Sequence, residues 1–376
     1  IIRMFLEQFS SYLPGRFPLI DMPTIVHYTA FFLASILALM VILLFFARIS
    51  LKEASVVCIF GFFVIWLVPL VDLATGGVGG HTISYLFVSG KELLLQFITY
   101  FSFPHINSGV TLGLKIEGMV GIVFCYVYVY TVTKNIVRSL GAASAFYAFL
   151  FLLGSAPSLI ALFLPEQGGI STSLVQSMMS SNIIQNNIHP SFSTTSVGLL
   201  DLAFNKIMLG ISTITAILAT LLLFLLGARE KFMAVIKNIR PMKIFYFFLL
   251  FTFGIALSHT WSSNWIDIQS YILAVLALIF AGMFSICQND IHDEKIDTVS
   301  NPNRPLISKD LSKSDMEMAS KIFFIFAILA AYASSHYVLF FTCLMIFIYF
   351  IYSNPPLRLK RFAILNSGLI SLACVS

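Results

Sequence analysis

Charge is what this sequence has least of. Asp, Glu, Lys and Arg make up 10% of its 376 residues, and hydrophobic residues make up 59%. A soluble domain carries roughly a quarter charged residues, so the shortage excludes a water-soluble globule and makes lipid the solvent of most of this chain. Cysteine is scarce too. The five (Cys58, Cys125, Cys287, Cys343 and Cys374) are odd in number, lie in apolar runs and show no Cys-x-x-Cys spacing, which argues against a disulfide or zinc framework. An initiator Met and a charged-then-apolar leader are missing. The chain opens Ile1-Ile2-Arg3 and ends at Ser376 inside an apolar run begun near Phe362, and so reads as cut at both ends. In so apolar a chain, the net charge of +5 reports membrane topology and gives no reason to expect nucleic acid as a partner.

What is present is a series of long apolar runs. Nine are expected to cross a bilayer, near 26–47, 54–72, 117–133, 141–164, 207–228, 244–259, 269–288, 319–334 and 337–352, with a tenth starting at 362. The stretch 85–104 has the character of an interfacial or re-entrant helix. If each run crosses once, only Arg3, Arg16, Lys91, Lys115 and Lys206 of the 22 Lys and Arg fall on one side. The rest gather on the other, which the positive-inside rule makes cytoplasmic. The protein is thus expected to be an integral, multi-pass component of the cell membrane.

The basic stretch 229–243 divides the chain. Residues 1–228 read as an N-terminal membrane domain of about five spans, whose loop 165–205 is long and weakly charged. Residues 229–243 read as a cytoplasmic linker and 244–376 as a catalytic membrane domain. Gly76–Gly80 reads as a flexible turn, and His27, His105, His189 and His259 lack partners at metal-ligand spacing.

The chemistry gathers just past the run 269–288, in Asn289-Asp290-Ile291-His292-Asp293-Glu294-Lys295-Ile296-Asp297. At about 100° per residue, Asn289, Asp290, Asp293 and Asp297 share an arc of roughly 100°, while His292 and Lys295 point elsewhere. Carboxylates massed on one face repel each other unless a cation sits among them. Hard oxygen donors suit Mg²⁺, commonly shared with a phosphate. Read this way, these four residues form a magnesium–diphosphate face on the cytoplasmic side; the plainer reading is a solvated acidic helix end. Two further stretches fall on the same side. They are Asn301-Pro302-Asn303-Arg304-Pro305-Leu306 and Tyr352-Ser353-Asn354-Pro355-Pro356-Leu357-Arg358-Leu359-Lys360-Arg361. Arg304, Arg358, Lys360 and Arg361 are the cations available to diphosphate oxygens. Taken alone, the last three also read as ordinary positive-inside anchors.

These three ordered blocks resemble the UbiA superfamily of intramembrane prenyltransferases. The resemblance spans about residues 238–376 and roughly the first half of that fold; residues before 230 carry none of it. It implies an all-α, polytopic helical bundle: a UbiA-like half-bundle preceded by an extra N-terminal membrane-helical domain. It further implies transfer of a prenyl chain from a polyprenyl diphosphate to an aromatic, tetrapyrrole or glycerol-phosphate lipid acceptor in the bilayer, with Mg²⁺ as cofactor. Asn289, Asp290, Asp293 and Asp297 would hold the metal and diphosphate, with Asp290 and Asp293 as principal ligands. Arg304, Arg358 and Lys360 would be their basic partners, and Arg240-Pro241 sits where the first helix of that family often begins. The family's second motif, Asp-x-x-x-Asp, would fall beyond Ser376, so the chain as it stands is expected to be inactive.

The chemistry so implied is heterolysis of an allylic carbon–oxygen bond. Mg²⁺, Arg and Lys would take up the leaving-group charge, and the apolar bundle would exclude water. Tyr349, Phe350, Tyr352, Phe247 and Phe248 are candidate aromatic liners for the carbocation. The alternative is a non-catalytic or accessory membrane protein, a transporter or scaffold, that retains a degenerate prenyltransferase domain. Against a transporter, nearly all ionisable residues lie at span ends. The Asp-Gly-x-x-Ala-Arg pattern of CDP-alcohol phosphotransferases is absent.

Overall fold

The computed structural model describes residues 22–74, 85–86, 88, 90–100, 112–163, 170–181, 196–258, 264–362 and 368. Gly76–Gly80, His105, His189, His259, Cys374 and nearly all of the tenth apolar run lie outside these. Every regular element among the described residues is helical. Among the described residues, eight helical segments are long and apolar enough to cross a membrane, and each coincides with one of the nine expected runs. The ninth, near 244–259, has an apolar helical stretch of only Ile244–Leu257.

The chain divides into two compact units. The first comprises residues 1–179 and 218–227. Its helices are α1 (Met22–Ala47), α2 (Leu51–Gly61), α3 (Leu67–Ala74), α4 (Gly90–Thr99), α5 (Leu112–Thr133), α6 (Ile136–Gly154), α7 (Ala156–Ala161) and α8 (Ile170–Met179). A 3₁₀ turn, Phe62–Trp66, joins α2 to α3. Two starts follow from side-chain capping, in which a polar side chain takes up a backbone N–H that the first turn leaves unpaired. Ser50 and Glu53 form a reciprocal box at α2, and Asn135 accepts from the Arg138 N–H at α6. The core joins Leu43, Leu44 and Ala47 to Cys58, Cys125, Val129, Ala142 and Phe146. At ten residues, α4 spans about 15 Å and cannot cross the hydrocarbon, in keeping with an interfacial or re-entrant segment.

The second unit comprises residues 180–217 and 228–376. It contains the first part of α9 (Ser196–Gly227), then α10 (Arg229–Lys237), α11 (Pro241–Ser258), α12 (Trp265–Ser300), α13 (Lys313–Ser334), α14 (His336–Ser353) and a 3₁₀ turn, Leu359–Arg361. The sequence suggests a boundary at 229–243; the compact units divide elsewhere, for specific reasons. Gln269 donates to the Ile207 carbonyl at 3.0 Å and Ser181 to Asp267 at 2.5 Å, which ties 180–217 to α12. Gly210 makes that approach close, because a Cβ there would overlap the Gln269 amide. The basic stretch is likewise no free linker. Ala234 of α10 is buried with Cys287 and Ile291 of α12 and with Leu306, Leu311 and Met316.

Alanine sets how closely α12 and α13 pack. Ala277, Ala281, Ala327, Ala330 and Ala331 are all buried, and such small side chains let membrane helices approach where no hydrophobic force drives them together. Helix α13 begins six residues before its apolar run because Ser312 and Asp315 form a capping box. Helix α12 is 36 residues long, about 54 Å at the helical rise. It therefore carries Asn289–Asp297 well beyond the apolar run, on the same end as the start of α13 and the end of α14.

These helix directions give a direct expectation. Single cysteines replacing Ser300 and His336, both exposed, in a background without Cys58, Cys125, Cys287, Cys343 and Cys374, should react with an impermeant maleimide from opposite faces of sealed vesicles. Labelling of both from the same face would remove the crossing of α13, the helix between them.

Candidate anion site at the end of α12

The burial of Ala234 on Cys287 and Ile291 delivers the end of α10 to Asp290. This carboxylate is 1% exposed, and both of its oxygens are engaged. Oδ1 accepts from Arg240 and Arg304, each at 2.9 Å, and Oδ2 accepts from Asn238 at 3.0 Å. Pro at the first position of α11 fixes where Arg240 emerges, since proline is pre-set for that place. Two turns further along α12, Asp297 bonds Arg304 through Oδ2 and accepts from Asn301 Nδ2 at 3.1 Å through Oδ1. The turn Asn301–Ile307 folds back on its own helix, with Arg304 N–H donating to the Asn301 carbonyl at 3.2 Å. Arg304 thereby lies between the two buried aspartates.

Asp293 belongs to a second, more open group. Arg358 donates to its Oδ1 and Lys360 to its Oδ2, each at 2.6 Å. Lys360 also donates to Asn289 Oδ1 at 2.9 Å, and Ser353 reaches the same oxygen at 3.3 Å. Asn354 donates to Gln288 at 3.3 Å, and Gln288 to Ser320 at 2.8 Å, so the end of α14 is pinned to α12 and α13. Arg358 has a left-handed backbone, φ 39°, uncommon outside glycine. Its guanidinium is held by Asp293 and by the His292 carbonyl at 3.3 Å, and its Nε is buried without an acceptor among the described residues. The Tyr352 ring stands 6.0 Å from the Lys360 ammonium.

The sequence reading places Asn289, Asp290, Asp293 and Asp297 on one metal-holding face. The structure instead separates them into two groups. Among the described residues, no three His, Cys, Asp or Glu side chains converge as a metal-binding group. The repulsion that made a metal seem necessary is relieved by cations. Arg240, Arg304, Arg358 and Lys360 face the three aspartates, leaving an excess of positive charge. Arg361, expected among the diphosphate ligands, is exposed and joins neither group. Of the candidate liners, Phe248 and Phe350 face outward at 46% and 48% exposure, whereas Phe247 and Tyr349 are buried with Phe284 and Met345. Asn238 and Gln288 carried no signal in the sequence, and Ser353 stood inside the Tyr352–Arg361 block without being given a role. Arg240 carried one, through the Arg-Pro at a helix start.

The donor set is compatible with Mg²⁺ at one place. Asn289 Oδ1 and the Asp293 carboxylate are adjacent hard oxygens, and Mg²⁺ in phosphate sites is commonly held by one or two carboxylates plus the phosphate itself. Asp290 and Asp297 have their oxygens committed to Arg240, Arg304, Asn238 and Asn301.

Residues 245–375 match the model of the UbiA prenyltransferase family. Neither the curated proteins nor the solved structures gave a match to the chain.

The two groups should differ in what their loss does. Arg304→Met leaves two buried carboxylates short of a partner and should cost on the order of 3 kcal/mol, the scale for breaking a buried pair. Lys231→Ala removes only the exposed bridge to Asp315 and should cost under about 1 kcal/mol. Denaturation midpoints of the purified protein in one detergent measure both; equal losses would contradict the structural role of Arg304.

Proposed function

We propose that the end of α12 binds the diphosphate of a prenyl diphosphate, and that the chain belongs to the chemistry of prenyl transfer within the membrane. The observation that carries this reading is the second group. Arg358 and Lys360 sit on Asp293 and Asn289 at the polar end of an apolar bundle, with a buried guanidinium N–H still lacking an acceptor. The match of residues 245–375 to a prenyltransferase family supports the same reading.

In this proposal the diphosphate takes over the donors that Asp293 and Asn289 now occupy. Arg358 offers a planar fork and Lys360 a mobile point charge, and both strengthen as negative charge grows on the leaving oxygen. Asn289 and Asp293, so released, are the residues that would hold Mg²⁺. When bound, the metal supplies further neutralisation of the pyrophosphate. Asp290, Asp297 and Arg240 keep Arg304 in place beneath, as positioning residues. The carbon–oxygen bond breaks with its electron pair going to pyrophosphate. The allylic cation is captured by a nucleophilic carbon or oxygen of the acceptor, which gives up a proton. The prenyl tail lies in lipid or against the apolar faces of α12–α14, where water that would quench the cation is scarce. The positive-inside pattern puts this end in the cytoplasm.

Titration of the full chain with farnesyl diphosphate, with either MgCl₂ or EDTA, tests this. Lys360→Gln and Arg358→Gln should each weaken binding about tenfold or more in both conditions, which is about 1.4 kcal/mol. Asp293→Asn should remove the advantage given by MgCl₂ while keeping metal-free binding, because it frees both cations. Farnesol, which lacks the diphosphate, should not compete. Absence of farnesyl diphosphate binding, or binding indifferent to Lys360→Gln, would sink the proposal and favour an accessory, non-catalytic role.

A further inference from the structure

The opposite end of the second unit also holds unanswered polar groups. Lys206 lies on α9 within an apolar span, and its ammonium is buried with no hydrogen-bond partner among the described residues. The indole N–H of Trp265, the first residue of α12, is likewise buried and unpartnered. The two share a layer. Gln269, one turn beyond Trp265, donates to the carbonyl of Ile207, the neighbour of Lys206. His336, at the start of α14, lies within electrostatic reach of Lys206. Ser334, two residues before it, donates to the Ser270 carbonyl at 2.8 Å, which brings α13 and α14 to the same level. Both orphaned groups are donors only. Asp267, an acid at this level of α12, is fully buried and accepts from Ser181.

We infer that this layer is an anion site, in which Lys206, with the Trp265 N–H and His336, receives a phosphate group. A buried ammonium with no hydrogen-bond partner among the described residues is costly unless a ligand answers it. The depth argues for phosphate over other anions. From Gln269 to Asp293, α12 rises about 36 Å, against a hydrocarbon thickness of about 30 Å. The Lys206 layer therefore lies at headgroup level on the face opposite Asp293. Phosphate esters are the prevailing anions there, and Trp is a customary interfacial residue. This site is separate from the diphosphate proposal and survives its failure.

The chemistry is shared by a phospholipid headgroup and by free phosphate, and the test separates them. The purified full chain is melted in detergent by tryptophan fluorescence, with added phosphatidylglycerol, inorganic phosphate or phosphatidylcholine. Since phosphate also suits Lys360 and Arg358, every arm is repeated in a Lys360→Met background. Phosphatidylglycerol, inorganic phosphate or both should raise the midpoint by about 4 °C or more at large excess over Kd. A response to phosphatidylglycerol alone identifies a lipid headgroup; a response to both makes the phosphate sufficient. Lys206→Met should abolish the rise without lowering the unliganded midpoint, because it removes an unpaired buried charge. Lys206→Arg should keep the rise. The inference is overturned if neither phosphatidylglycerol nor phosphate raises the midpoint in the Lys360→Met background, if Lys206→Met responds as its parent does, or if Lys206→Met lowers the unliganded midpoint while Lys206→Arg does not respond.

Discussion

Neutralisation of three aspartates on one helix end is the constraint on which the second unit depends. Asp290 and Asp297 are almost entirely withdrawn from solvent, and Asp293 is largely so. Unpaired carboxylates at such depth are untenable, so each must be met by cations from elsewhere in the chain. Those cations come from three separate segments: Arg240 after α10, Arg304 in the turn after α12, and Arg358 with Lys360 after α14. Satisfying the acids thus fixes where three connections end. The alanine seam between α12 and α13 and the apolar patch around Ala234 set the frame within which those ends meet.

This arrangement divides one motif between two tasks. The inner pair, with Arg304 between them, is saturated and inward. The outer pair, Asn289 and Asp293, holds cations that are themselves suited to an anionic ligand. A helix presenting the same four residues with no surrounding cations would be an acidic patch. With four cations around three acids, the same surface has the opposite sign. The chemistry of the site therefore follows from its neighbours as much as from the motif.

Much of this was legible in the sequence. Eight of the nine expected spans, the all-helical class, and the meeting of Arg304, Arg358 and Lys360 with the Asp motif follow from apolar run length, charge asymmetry and two Pro-containing blocks. Helix ends were less legible, because apolar runs report the membrane and not the helix. Helix α9 begins at Ser196, before its run at 207, and α13 begins at Lys313 on the strength of a polar capping box. The pairing inside the site was hidden for another reason. Helical periodicity places Asp290, Asp293 and Asp297 on one arc but carries no information about which cation approaches from outside that helix. Asn238 had no pattern to announce it, since its role depends on the packing of α10 against Cys287 and Ile291. Phe248 and Phe350 show the same limit: in a chain with 38 phenylalanines, aromatic identity does not distinguish a core ring from a lipid-facing one.

The length of α12 has a mechanical consequence. Its two polar layers, at Gln269 and at Asp293, are joined by one uninterrupted helix, so their separation of about 36 Å cannot shorten. A bilayer whose hydrocarbon is about 30 Å thick leaves both layers wet when the helix stands upright, and meets them at its two boundaries when the helix leans by roughly 30° or the lipid thickens around it. A thicker membrane would stand the helix upright and draw the Asp293 layer toward the hydrocarbon boundary; a thinner one would either tilt the helix further or leave that layer farther outside the hydrocarbon. Bilayer thickness thereby sets how much water and counter-ion the cations around Asp293 meet, and the lipid becomes a regulator of the site without touching it.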